Sequence, residues 1–162
     1  MSDLARVLEA CYRDTLANLL RHEAGARVMA QYDVNNAYQY TINREETQLS
    51  WLARAIADLG GTVPEEQSAA AHPGSRTKPV SWRAMAEEDA RQAQAFVDRW
   101  SPQADAMIHD RHRKLLRVII GETLEQKRLF EQALAGRTDL LGRRGEGTDP
   151  AVGEVLPTRW IE

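Results

Sequence analysis

Three acidic side chains interrupt stretches that otherwise have the spacing of buried helix faces. Glu45 falls between Ile42 and Leu49 in the run INREETQLSWLARAIADLGG, and Asp89 and Glu122 interrupt similar apolar stripes. An isolated buried carboxylate is energetically unfavourable unless it is protonated or paired, whereas several carboxylates around one cation share a compensating charge. These acids are therefore candidates for a metal site or a small polar ligand site.

Helices are the elements that must position these acids. Alanine, leucine, arginine, glutamate and glutamine fill most of the chain, and alternating β-branched residues are nearly absent, which predicts an all-α fold. A first helix can start at Ser2 or Asp3. Its end is left open between Gly25 and the Asp33–Asn36 run. Helical spacing places these residues on its inner face: Leu4, Leu8, Tyr12, Leu16, Leu19 and Glu23.

The second and third helices have clear start or stop signals. The second ends at Gly60–Gly61, where a C-terminal glycine is expected. Ser81 caps the third, and Ser101–Pro102 predicts its end. The inner residues are Tyr38, Ile42, Glu45, Leu49, Leu52, Ile56 and Leu59 on the second helix, and Trp82, Met85, Asp89, Ala93, Phe96 and Trp100 on the third.

The fourth helix ends at Gly136 and completes a bundle. One predicted face carries Ile108, His112, Leu115, Ile119, Glu122, Gln126 and Leu129, with Leu116, Ile120, Phe130 and Leu134 beside it. The aperiodic stretch from Gly60 to Pro79 can extend to roughly 60 Å, which is enough to run the length of a bundle. We predict a four-helix bundle over residues 1–136 with a long crossover between its second and third helices. We expect residues 137–162 to form an extended tail that packs on the bundle or on a partner chain.

Composition excludes several classes of function. The net charge is −3 and the pI is near 5.8, so nothing indicates binding to nucleic acid or to an anionic membrane surface. The single cysteine, Cys11, cannot form an internal disulfide and favours a reducing compartment. The chain lacks a long apolar run and a secretory signal, so we expect a soluble, cytoplasmic protein.

Two segments, REETQLSWLARAIADLGG and GETLEQKRLFEQALAG, resemble the ferritin-like superfamily of crossover bundles. The resemblance implies that Glu45 and Glu122 are the glutamates of the two Glu-x-x-His motifs. It also implies that Asp89, which lies 33 residues before Glu122, is the acid of the third helix. The first-helix acid of the family falls at Tyr12.

The chain departs from the family pattern at the nitrogen ligands. Gln48 and Glu125 stand where the family has histidine, so the resemblance implies an incomplete centre rather than a full di-iron site. If the first turn lies at Asp33–Asn36, Glu23 becomes level with Glu45 and restores a fourth acid. The candidate metal ligands are Glu45, Asp89, Glu122, Glu125 and Glu23, the candidate metals are iron and manganese, and the family implies a homodimer.

Two alternatives stay open. The inner acids could instead pair with Arg44, Arg91 or Lys127, and the protein would then be a metal-free bundle with a structural or interaction role. His109 and His112 are three residues apart on one helix, a spacing that can chelate a metal but is more often a solvated or capping pair.

Overall fold

Four helices form the part of the chain that the computed structural model describes, residues 3–65 and 81–141. They are α1 (Asp3–Val28), α2 (Tyr32–Asp58), α3 (Trp82–Ala106) and α4 (Asp110–Leu134). No strand occurs within those two ranges. The prediction of an all-α four-helix bundle is confirmed.

The helices pack as two hairpins, α1 with α2 and α3 with α4, laid against each other. Late residues of α1 contact early residues of α3, as in the ion pair of Arg21 with Asp89, so these two helices are antiparallel. The same holds for α2 and α4, where Asp58 at the end of α2 contacts Arg111 at the start of α4.

The long crossover follows from these directions. Tyr38 near the start of α2 donates a hydrogen bond to Asp89 near the start of α3, so both helices begin at the same end of the bundle. The chain between them must therefore connect opposite ends, as the sequence predicted. Residues 66–80 of this connection lie outside the described residues.

The first turn lies at neither predicted place, because α1 continues to Val28 and residues 29–31 form the connection. Gly25 is inside α1, and a Cβ atom there would lie 3.3 Å from the Tyr38 ring, so this glycine permits close packing rather than ending the helix. Asn35 is inside α2, and its amide donates to the carbonyls of Ala26 and Met29 at 2.9 and 3.1 Å. Its side chain therefore caps the preceding helix instead of breaking its own.

The predicted break at Ser101–Pro102 is wrong, because α3 runs through Pro102 to Ala106. Pro102 and Asp98, whose carbonyl loses a helical donor to the proline, are both exposed, so water can hydrate that carbonyl. Ala104 beyond the proline is buried, and its packing favours continuing the helix.

The sequence predicted the start of α3 and the ends of α2 and α4 correctly, but it placed part of the buried face of α4 wrongly. Ser81 caps α3 by accepting from the Ala84 amide at 3.2 Å, and Gly60 and Gly136 have the positive φ of a helix stop. Ile108, however, precedes α4 and is 97% exposed. The buried stripe of α4 takes His112, Ile119, Gln126 and Leu129 from the first predicted row and Leu116, Ile120 and Phe130 from the second, and it also contains Thr123 and Ala133.

The core has an apolar cluster toward each end of the bundle. Leu140, after α4, is buried in the cluster that contains Tyr38 and Phe130, so the start of the predicted tail packs on the bundle. The rest of the tail, from residue 142, lies outside the described residues. Cys11 is buried in the other cluster, and burial raises the pKa of its thiol to about 12, so it stays protonated at neutral pH.

None of the four described helices is both long enough and apolar enough to cross a membrane.

Candidate functional site

The most polar region of the core lies around His22, a residue that the sequence did not single out as a ligand. Its side chain is 3% exposed, and its Nδ1 lies 2.9 Å from Oε2 of Glu45. Its Nε2 lies 3.5 Å from Oδ1 of Asp89, which is within ion-pair range but too poorly placed to count as a hydrogen bond. One imidazole from α1 thus stands between an acid of α2 and an acid of α3.

Asp89 has two further partners. Nε of Arg21 lies 2.7 Å from Oδ1, and the Tyr38 hydroxyl donates a short hydrogen bond to Oδ2. Burial, together with the Asp89 charge, raises the pKa of Tyr38, so the hydroxyl remains a donor at neutral pH. The charge of Asp89 is therefore compensated by a guanidinium. We call Arg21, His22, Tyr38, Glu45 and Asp89 the inner polar cluster.

The carboxyl of Glu45 lies where burial disfavours its charged form. Its side chain is 2% exposed. Burial raises its pKa, while the hydrogen bond from His22 and the charges of His22 and Arg21 act in the opposite direction. Burial therefore favours the neutral form of Glu45, and its contact with His22 opposes that effect.

Aromatic rings fix the position of His22. Its ring centroid lies 5.8 Å from that of Tyr38 and 5.4 Å from that of Phe130, and the Tyr38 and Phe130 rings are 5.1 Å apart. These rings exclude water from one side of the imidazole. A low local dielectric strengthens its interactions with the two carboxylates.

Glu122 lies outside the inner polar cluster, at the partly exposed groove between α2 and α4. Arg44 donates a short hydrogen bond to its Oε1, and Nε2 of Gln48 donates to its Oε2 at 2.7 Å. The side chain of Glu122 is 25% exposed and that of Arg44 is 33% exposed. The alternative prediction of pairing with Arg44 is confirmed for this acid, and we call Arg44, Gln48 and Glu122 the lateral cluster.

The other basic partners suggested by the sequence bind elsewhere. Arg91 pairs with Glu88 on its own helix, and Lys127 pairs with Glu131 at 3.1 Å. The cation that pairs with Asp89 is Arg21, which comes from α1 rather than from the same helix.

The last two candidate ligands do not join the inner polar cluster. Glu125 is exposed and pairs with Arg128 at 2.7 Å. Glu23 is half-buried, and its neighbour His22 takes the place level with Glu45 that the alternative turn gave to Glu23. The sequence did carry a signal for His22, since it continues the spacing of Leu19 and Ala26, both buried on α1.

The geometry of His22 limits what a metal ion could contact. Each ring nitrogen faces a different carboxylate, so an ion bound to one nitrogen would reach only one of Glu45 and Asp89 without rotation of the ring. Among the described residues, no group of three or more His, Cys, Asp or Glu side chains is arranged to hold a metal ion. Of the five predicted ligands, Glu45 and Asp89 lie in the inner polar cluster, whereas Glu122, Glu125 and Glu23 lie outside it.

Comparison with known proteins identifies no relative: no family model, no curated protein and no solved structure matches this chain.

Proposed function

We propose that this protein is a metal-free helical bundle of the ferritin-like type, with a structural or interaction role, in which protein side chains compensate the inner acids. One observation carries the proposal: each inner acid already has its own donors. Glu45 has His22, Asp89 has Arg21 and Tyr38, and Glu122 has Arg44 and Gln48; these are the contacts that a metal ion would otherwise supply.

The charges support the same proposal. An ion bound at Asp89 would have to displace Arg21 or lie close to its positive charge, which opposes cation binding. Asp89 is 4% exposed and already has the Arg21 guanidinium 2.7 Å away, so a divalent ion would have to compete with a cation that is in place.

A metal-binding role is the second candidate, and one feature favours it. Buried polar groups on the same faces as the inner polar cluster lack hydrogen-bond partners among the described residues, namely Thr41 Oγ1 on α2 and Gln126 Nε2 on α4. Thr41 lies between Tyr38 and Glu45 along α2, and Gln126 is one turn before Phe130. The Thr41 oxygen would suit iron or manganese if His22 and Arg21 moved aside, whereas Gln126 would have to turn its amide oxygen toward the ion.

Metal analysis distinguishes the two candidates. The purified full-length chain is incubated anaerobically with Fe(II) or with Mn(II), dialysed, and analysed by plasma mass spectrometry beside Glu45→Gln and the matched exposed control Glu125→Gln. A metal-free bundle gives the same background metal content in all three proteins. A stoichiometric metal content in the wild type and in Glu125→Gln, but not in Glu45→Gln, would overturn the proposal.

The interaction role includes a homodimer, as the family resemblance implies. Val118 and Leu124 on α4 are 49% and 45% exposed, and Gly121 between them has open space around it. Val118, Gly121 and Leu124 follow one i, i+3 row of α4, and a second copy would contact this helix along that row. Light scattering during gel filtration should give the mass of a dimer for the wild type and of a monomer for Val118→Glu combined with Leu124→Glu. A wild-type monomer would contradict the dimer.

A further inference from the structure

The turn between α3 and α4 contains two histidines whose ring nitrogens face each other. His109 is the exposed N-cap residue of α4, and His112, in its first turn, is 4% exposed. Their Nδ1 atoms are 2.9 Å apart and their ring centroids are 4.4 Å apart. At this distance one Nδ1 must carry a hydrogen and the other must accept it, since two lone pairs or two N–H groups would repel each other.

Groups on the neighbouring helices do not supply the pair with a bound carboxylate. Asp58 of α2 attracts His112, but it also pairs with Arg111 at 3.4 Å. Asp105 of α3 pairs with Arg117 at 3.1 Å.

On α4 itself, Asp110 binds Arg113 and Lys114. Burial lowers the pKa of His112, and the nearby charges of His109 and Arg111 lower it further. The start of a helix adds a positive dipole that also disfavours a protonated ring.

We propose that His109 and His112 form a proton-operated clasp on the α3–α4 turn, closed while the two Nδ1 atoms share one hydrogen and open once both rings are fully protonated. The neutral pair closes the clasp with one N–H···N bond. One added proton is tolerated, because an imidazolium can still donate to a neutral imidazole. A second proton places two N–H groups face to face and removes the bond.

The clasp lies next to contacts that define the turn. The Arg113 amide donates to the His109 carbonyl at 3.0 Å, and Nη1 of Arg113 donates to the Met107 carbonyl at 3.2 Å. Met107 is buried in the apolar cluster at this end of the bundle. Loss of the hydrogen bond between His109 and His112 therefore loosens the first turn of α4 and the packing of Met107. The α1–α2 turn is closed instead by the amide of Asn35, which does not titrate, and serves as an internal reference.

Nitrogen-15 NMR of the imidazole rings tests the clasp directly. The full-length chain is titrated from pH 8 to pH 5 with EDTA present, as wild type and as His109→Asn. Asparagine suits the N-cap position, so the variant keeps the helix start. Its amide oxygen accepts from His112 at every pH, and the variant has no ring at position 109 that could bind a proton. His112 should become protonated at a higher pH in His109→Asn than in the wild type. Equal titration of His112 in the two proteins would overturn the clasp and leave burial, Arg111 and the helix start as the causes of its lowered pKa.

Stability and hydrogen exchange provide the second readout. Because His112 has a lowered pKa, the unfolded chain binds more protons, so stability is full above pH 6.5 and is lost as pH falls below it. Where the unfolded chain binds one proton more than the folded chain, the folding equilibrium constant falls about tenfold for each pH unit. As pH falls, the wild type should lose stability more steeply than His109→Asn. The hydrogen of its Arg113 amide should also exchange faster, while exchange at the Asn35 amide should not change. Identical pH profiles, or equal acceleration at both turns, would contradict the proposal.

Discussion

The two glutamates that the sequence places in equivalent motifs, Glu45 and Glu122, have different surroundings. Glu45 lies in the core at 2% exposure and bonds to His22, whereas Glu122 lies at the α2–α4 groove at 25% exposure and bonds to Arg44 and Gln48. Motif spacing sets the height of a residue along a helix. Its depth depends on how the neighbouring helices pack, and that is where the two sites differ.

Gln48 helps to explain the difference. It is 1% exposed, so it fills the interior on the side of α2 that faces Glu122, and its amide reaches outward to that acid. Glu122 can therefore keep its charge near water. Glu45 has no comparable access to water, and its hydrogen-bond partner is the imidazole of His22. The inner polar cluster should then be sensitive to the loss of single partners, and the lateral cluster should not.

Loss of His22 should give the largest effect. His22→Ala removes the hydrogen-bond partner of Glu45 and leaves a gap beside Tyr38 and Phe130. An unpartnered buried carboxyl costs about 1–3 kcal/mol of unfolding free energy, and the cavity adds to that loss. Urea unfolding followed by circular dichroism measures the change, with Arg44→Ala as the control from the lateral cluster. Similar losses in both variants would remove the proposed contrast between the clusters.

Tyr38→Phe should give the next largest effect. It deletes one hydroxyl that donates to Asp89 and keeps the ring packed on Phe130. Hydrogen bonds to charged groups contribute about 1.5–3 kcal/mol, so the unfolding free energy should fall by that amount. Tyr40→Phe on the same helix is the matched control, and because Tyr40 is 43% exposed its stability should not change. A neutral result for Tyr38→Phe would show that Arg21 alone satisfies Asp89.

Glu45→Gln sharpens the comparison through pH. Burial raises the pKa of Glu45 above 4.5, so the folded state binds more protons than the unfolded state. Its contribution to stability is full below pH 4.5 and is lost as pH rises through the folded-state pKa, with a slope of at most about 1.4 kcal/mol per pH unit.

The measurement is the difference in unfolding free energy between wild type and Glu45→Gln from pH 4 to pH 8. The wild type should lose stability relative to the variant as pH rises. A difference that does not vary with pH would show that His22 fully offsets the burial of Glu45.

The sequence predicted the helices and their arrangement because these follow from local signals. Apolar spacing, the Ser81 cap and the glycine stops each depend on residues within a few turns of one another. The turns were mislocated because Asn35 acts on the preceding helix and Ala104 favours helix beyond Pro102. Both effects come from contacts that the local pattern does not contain.

The candidate site was predicted less completely for a related reason. The sequence identified Glu45 and Asp89, both of which are buried in one cluster. It missed Arg21 and His22, because the depth of each residue on α1 depends on the rotation of that helix against α2 and α3. A rotation equivalent to one residue, about 100°, exchanges Glu23 for His22 at the core.

Glu122→Gln should have the smallest effect and tests the other half of the comparison. Its partner Arg44 is partly exposed, and ion pairs near the surface contribute about 0–1 kcal/mol. A double-mutant cycle with Arg44→Gln measures the coupling free energy from urea unfolding of the four proteins, at low salt and in 1 M NaCl. The coupling should be below about 1 kcal/mol and should weaken in salt, because water and ions reach this groove. A salt-independent coupling as large as the loss in His22→Ala would mean that Glu122 behaves as a core residue. The two motif glutamates would then be energetically equivalent despite their different depths.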